Sequence, residues 1–161
     1  MGSLRDVVAY ICRNYPHKDE LSNARVTKMV YLADWKSAIE RGEQITGLTW
    51  RFDQYGPFVY KVLDTAKEDS AFEIIPTRNM YGSQKDLLKV DNDVDYPTLS
   101  AEEMRILDFV MEGSAPLNWN EFIKLVYSTY PIVSQERYSK LDLVRLAQEY
   151  EEVVPLLDSS G

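Results

Sequence analysis

Apolar residues recur along most of this chain at the three-to-four spacing of helices, broken by short stretches where the period drops to two. Leu4, Val7, Val8 and Ile11 follow Ser3, which can cap a first turn, and Pro16 lies just past the end, so a short first helix is predicted. A second helix begins at Ser22 or Asn23 and stops at Gly42, where glycine can take the left-handed conformation that ends helices. Val26, Met29, Val30 and Ala33 form one apolar stripe of that helix. Leu32, Trp35 and Ile39 form another on nearly the opposite side. A helix apolar on two sides needs neighbours on both, so residues 23–41 are expected to be the central helix. Between the stripes, Thr27, Tyr31 and Asp34 are spaced by four and three, and their polar ends are expected to share one strip of the surface.

Leu48, Trp50 and Phe52 alternate with Thr49, Arg51 and Asp53, the pattern of a short strand with one buried face. Gly56-Pro57 reads as a helix start, since proline suits the first helical position. Phe58, Val62, Leu63 and Ala66 follow at helical spacing for about three turns. Residues 72–77 and 85–90 read as the strands of a β-hairpin with a longer loop at 79–84, followed by an acidic connection at 91–97. Ser100 with Glu103 forms a capping box ahead of Met104, Leu107, Val110 and Met111, a helix expected to end before Gly113. Asn118 with Glu121 repeats the box ahead of Trp119, Phe122, Ile123, Val126 and Tyr130, with Pro131 as the stop. Leu143, Leu146, Ala147 and Tyr150 mark a last helix, after which Ser159-Ser160-Gly161 reads as a frayed tail. The pattern is that of a mainly helical α+β fold, with about six helices around the central one, a short strand and a β-hairpin.

At 161 residues, the expectation is a single domain over 1–161 with its core in 4–150. Eighteen Lys and Arg against 26 Asp and Glu leave a net charge of -8, which repels nucleic-acid backbones and anionic membranes. Nucleic acid and membrane are therefore not expected partners. A lone Cys12 cannot form an internal disulfide, no signal-peptide pattern is seen, and no apolar run reaches membrane-spanning length; a cytoplasmic protein is expected.

Candidate chemistry is sparse. Cys12 and His17 are close in sequence, but a nucleophile needs a base held by a third group, so Cys12 is expected to pack and His17 to sit in a loop. One His and one Cys do not make a zinc site. Neither phosphate-binding glycine motif occurs, and the adjacent pairs Glu102-Glu103 and Glu151-Glu152 read as solvated faces. Gly56-Pro57 could cradle an anion at a helix N-terminus, although turn-making explains the pair better. No catalytic, metal or cofactor site is expected, and no enzyme activity. Asp34 has two open readings: a carboxylate hydrogen-bonded within the fold, to Tyr55 or Trp50, or part of a partner surface. Eleven tyrosines and three tryptophans are a large stock of interface-type side chains. Trp35, Trp50 and Trp119 fall on apolar sides and are expected to pack, whereas Tyr55, Tyr60 and Tyr81 are the better surface candidates.

Three segments in fixed order carry a resemblance: Thr27-Lys28-Met29-Val30-Tyr31-Leu32-Ala33-Asp34, then Ile45-Thr46-Gly47 with Trp50, then Tyr55-Gly56-Pro57-Phe58-Val59-Tyr60. Together they resemble the core signature of the Panacea (SocA-like) antitoxin domain, and the likeness runs on through Leu99 to Glu103 and Glu121 to Pro131. Where many members carry Thr-His and Pro-Trp, this chain has Val126-Tyr127 and Pro131-Ile132. The resemblance implies an antitoxin that neutralises a cognate toxin by direct protein–protein binding, some relatives acting as adaptors that deliver the toxin to a protease. The positions expected to shape the partner surface are Thr27, Tyr31, Asp34, Trp50, Tyr55, Gly56, Pro57, Tyr60 and Tyr81. The competing reading is a winged-helix-like DNA-binding autorepressor. It draws on Arg78, Lys85 and Lys89 of the hairpin, but the helix after Gly56-Pro57 mixes Lys61 and Lys67 with Asp64, Glu68 and Asp69. The sequence leaves the oligomeric state open.

Overall fold

Helix α1 (Leu4–Asn14) starts where Ser3 Oγ accepts the Asp6 backbone N–H at 3.1 Å. Helix α2 (Asn23–Arg41) starts with Ser22 Oγ accepting from Arg25 N–H at 3.1 Å and ends at Gly42, whose φ of 73° lets its N–H reach Ala38 O. The computed structural model describes residues 2–78 and 80–159. The remaining elements are β1 (Trp50–Asp53), β2 (Gly56–Phe58), α3 (Lys61–Glu68), β3 (Phe72–Arg78), β4 (Gln84–Val90), α4 (Ala101–Ser114), α5 (Trp119–Tyr127), α6 (Tyr130–Ser134), β5 (Lys140–Leu141) and α7 (Leu143–Ser159). The fold is mainly helical α+β, as the periodicity predicts.

Helix α2 is the hub. It packs against α1, α3, α4, α7, β2 and β4, so both apolar stripes find partners. Val26, Met29 and Val30 on one side and Leu32 and Trp35 on the other are buried, with Ile39 at the margin of the same core. The expected polar surface strip is corrected: Thr27, Tyr31 and Asp34 are buried too, because the sheet and the loop after Gly42 close over that third side. Strands β2-β1-β5 form one antiparallel sheet and β3-β4 the predicted hairpin, with Phe72 opposite Val90 and Arg78 opposite Gln84. The hairpin is anchored beside the start of α2 by Leu88 N–H donating to Leu21 O at 2.8 Å and by a bridge between Ser22 and Leu87.

Two prolines act differently from expectation. Gly56-Pro57 does not start a helix. Asp53 pairs with Gly56 and Phe52 with Pro57, so Gln54-Tyr55 is a tight turn between β1 and β2, with Gly56 at a φ of 100°. β2 is an edge strand, where the missing proline N–H costs no ladder bond. Helix α3 then begins only at Lys61 and spans eight residues rather than about three turns, and the anion cradle considered at Gly56-Pro57 has no helix N-terminus to supply it. Pro131 likewise does not simply stop α5. It sits in the first turn of the short α6, taking Tyr130 with it. The two-residue β5 has too little pattern to be seen in sequence. Helix α4 runs one residue past Gly113, and α7 reaches Ser159; of the expected frayed tail, residues 160–161 lie outside the described residues.

A Cβ at position 56 would sit 3.3 Å from Tyr127 Cε2 and on backbone that L side chains rarely adopt. Gly56→Ala is expected to lower unfolding stability by about 1–3 kcal/mol in urea denaturation; an unshifted midpoint would show that the turn relaxes without cost.

Candidate functional site

The signature residues converge on Asp34. Its carboxylate accepts the backbone N–H groups of Ile45 (3.0 Å) and Thr46 (2.9 Å), the Thr46 hydroxyl, Trp50 Nε1 (2.9 Å) and a longer contact from Gln44 Nε2 (3.4 Å). Burial raises the Asp34 carboxyl and the donors from Thr46, Trp50 and Ile45 offset part of that, leaving it at about 6, so the carboxylate form predominates at neutral pH. Of its two open readings, the internal one describes the structure, with Trp50 as the partner; Tyr55 is exposed and makes no such bond. Trp50 also lies edge-on to Tyr31, ring centroids 5.5 Å apart, and the Tyr31 hydroxyl shares a 2.8 Å hydrogen bond with Thr129. Thr27, the first residue of that row, turns its hydroxyl to Asn23 Oδ1 at 3.3 Å. Thr27, Tyr31, Asp34 and Trp50 are thus fully enclosed. In this structure they support a surface rather than present one.

The surface they support is a groove of about 820 Å³ at the N-terminal end of α2. The β1–β2 turn brings Tyr55 to its rim, the hairpin tip brings Met80 and Tyr81, and the first turns of α5 bring Trp119 and Ile123. Four of these are unusually open for their size: Tyr55 73%, Met80 88%, Tyr81 85% and Trp119 44%. Trp119 was expected to pack, but it occupies the first position of α5 and only leans on Phe122, 6.1 Å away. Tyr60 is exposed, as expected of a surface tyrosine, but stacks edge-on with Phe58 away from the groove. Gly56 and Pro57 are buried beneath the turn.

Two basic residues of α2 line the groove, and neither was singled out from sequence. Arg25 is buried: its Nη2 donates to Ser114 O and Leu117 O, both at 2.9 Å, its guanidinium lies 4.5 Å over the Phe122 ring, and its Nε has no hydrogen-bond partner among the described residues. Lys28 is only 3% exposed, and it makes no hydrogen bond or ion pair with any described residue. Burial alone pulls its ammonium down to about 8. The available signal was its place in the second turn of a helix with apolar faces on two sides, which leaves few positions able to reach water.

The other chemistry-bearing residues stay apart. Cys12 is buried in the core, its thiol pushed up to about 12 by burial, and His17 is an exposed residue ahead of a 3₁₀ turn at Lys18–Glu20. Among the described residues, no group of three or more His, Cys, Asp or Glu side chains gathers as a metal ion would need. No helix among them is long and apolar enough to cross a membrane.

With this geometry in hand, comparison with known proteins is informative at the level of family. The family model described as antitoxin SocA-like, Panacea domain, matches residues 26–131, a span that runs from the central helix through the groove-lining hairpin and α5. No curated protein and no solved structure matches the chain.

Asp34 and Lys28 can each be tested through stability. Asp34→Asn would turn an amide N–H toward Trp50, Thr46 and Gln44, which are donors themselves, and is expected to destabilise the fold by about 3 kcal/mol in urea denaturation; retention of wild-type stability would mean the loop after Gly42 is held otherwise. Lys28 behaves oppositely. Its folded value near 8 lies below the 10.5 of the unfolded chain, so the unfolded state binds more protons between those limits and stability rises with pH across that window. Below it the full cost, about 3 kcal/mol, is present. Lys28→Met is expected to be more stable than wild type at pH 7, with the gap closing toward pH 10.5; a less stable variant would contradict this.

Proposed function

The chain belongs to the antitoxin SocA-like, Panacea domain family, and from that premise we propose that it neutralises a cognate toxin by binding it directly as a stoichiometric partner. The observation that carries the reading is the cluster of open aromatic and sulfur side chains, Tyr55, Met80, Tyr81 and Trp119, around a single groove. Tyr and Trp combine apolar area with few rotatable bonds and are enriched at binding hot spots, and Met adds an adaptable apolar contact. Their presence at this density on a chain of net charge -8 favours a protein partner over a polyanion.

Neutralisation by sequestration needs one recognition surface, and the groove with its rim is of the right kind to nucleate the roughly 800 Å² that a stable interface buries on each partner. Delivery of the bound toxin to a protease would need a second surface, so sequestration is the simpler form of the proposal. DNA binding has less support: α3 is two turns long, mixes Lys61 and Lys67 with Asp64 and Glu68, and its neighbour Asp69 is committed to Arg5 at 2.9 Å.

Co-expression with the product of the adjacent gene tests the reading. Growth arrest by that product alone, relief by this chain and a one-to-one complex on size exclusion are expected; a harmless neighbour, or a toxic one that this chain neither relieves nor binds, would overturn it.

A further inference from the structure

The Lys28 ammonium is a charge without a counterpart. It lies on the wall of the groove, its stem buried and its tip open to the water of the groove, and no carboxylate, carbonyl or hydroxyl among the described residues accepts from it. The ionisable groups around it are otherwise engaged or displaced. Arg25 is held by two carbonyls and a ring, Glu20 accepts the Tyr15 hydroxyl at 3.1 Å, and Asp86 accepts from Gln84 at 3.3 Å. Lys85 lines the outer part of the groove from the hairpin. An ammonium left only a narrow opening to water and no protein acceptor is costly, and a fold does not retain that cost for its own stability when an apolar side chain of similar length would fill the same space.

We propose that the groove receives a segment of the toxin in which a single carboxylate, flanked by apolar side chains, pairs with Lys28. The proposal rests on the antitoxin reading and deepens it by naming what the toxin must offer. With Arg25 committed to two carbonyls, and Glu20 and Asp86 lining the same groove, Lys28 suits one monovalent anion and disfavours a second negative charge beside it. The apolar rim of Tyr55, Met80 and Trp119 requires flanking hydrocarbon, which a polypeptide supplies and a free phosphate or a nucleic-acid backbone does not. Docking excludes water from the pair, and the ammonium that penalises the free protein becomes a contact of the complex. The same residue then also selects: a segment with an apolar or basic side chain at that point leaves Lys28 buried and unpaired, which raises the cost of a wrong partner.

The test is a double-mutant cycle on the full chain with the product of the adjacent gene, read by calorimetric affinity and by growth rescue. Lys28→Met is expected to remain folded, with an unfolding midpoint no lower than wild type, yet to bind at least about 30-fold more weakly. Val133→Ala, at an exposed position of α6 outside the groove, is expected to bind as wild type. Each Asp and Glu of the toxin is replaced by Asn or Gln; one replacement should weaken binding to wild type by a similar factor and have little further effect on Lys28→Met. If wild type neutralises and binds the toxin but Lys28→Met binds equally well, or no toxin carboxylate couples to it, this inference is overturned while the antitoxin reading stands. If wild type itself neither binds nor neutralises, both fall.

Discussion

A buried carboxylate with its hydrogen-bonding capacity filled holds this molecule in shape. Asp34 sits on the central helix and collects two backbone N–H groups, a hydroxyl and an indole N–H from residues 45–50, with Gln44 as a more distant fifth donor. An ionised side chain without exposure is tolerable only when donors replace its water, and here they come from one short stretch of chain. That stretch therefore cannot leave α2. Its direction sets β1, the turn after β1 sets β2, and the same turn carries Tyr55 to the rim of the groove. Through Trp50 and Tyr31 the constraint reaches Thr129 at the junction of α5 and α6.

Helix α2 carries the almost wholly buried Lys28 nearly two turns earlier, in contrast to Asp34. Asp34 is ringed by donors, and Lys28 has no acceptor among the described residues. Both are desolvated, so the difference lies in compensation, and compensation is what separates a charge that organises a fold from one that waits for something outside it. One helix thus does both jobs: its middle is the anchor of the domain signature, and its first two turns form the wall of the open groove.

The placement of apolar rim residues follows from weak local burial at three loop-proximal sites rather than from any one element. Tyr55 is in a two-residue turn, Met80 and Tyr81 at a hairpin tip, and Trp119 at the first position of a helix. None can be covered by its own element, and each comes from a different part of the chain. Their meeting point is set by the docking of the hairpin on Leu21 and Ser22 and by the packing of Tyr127 against Phe52 and the backbone of Gly56.

Local chemistry along the chain was enough to determine the helix starts at Ser3, Ser22, Ser100 and Asn118, the stop at Gly42, the hairpin register region and the central role of residues 23–41, because capping, turn formation and periodicity act within a few residues. It also marked Asp34, Trp50, Tyr55 and Tyr81 as noteworthy. What each of them does was decided only in three dimensions. Gly56-Pro57 suits a helix start and an edge strand equally well, and pairing with β1 chose the strand; Pro131 suits a stop and a start, and α6 used it as the start. Whether a polar residue on a two-faced helix meets water, donors or nothing depends on which elements close over its third side, and no local pattern encodes that. The enclosed, donor-ringed Asp34 and the Lys28 stem buried with its tip on the groove are therefore products of the tertiary fold.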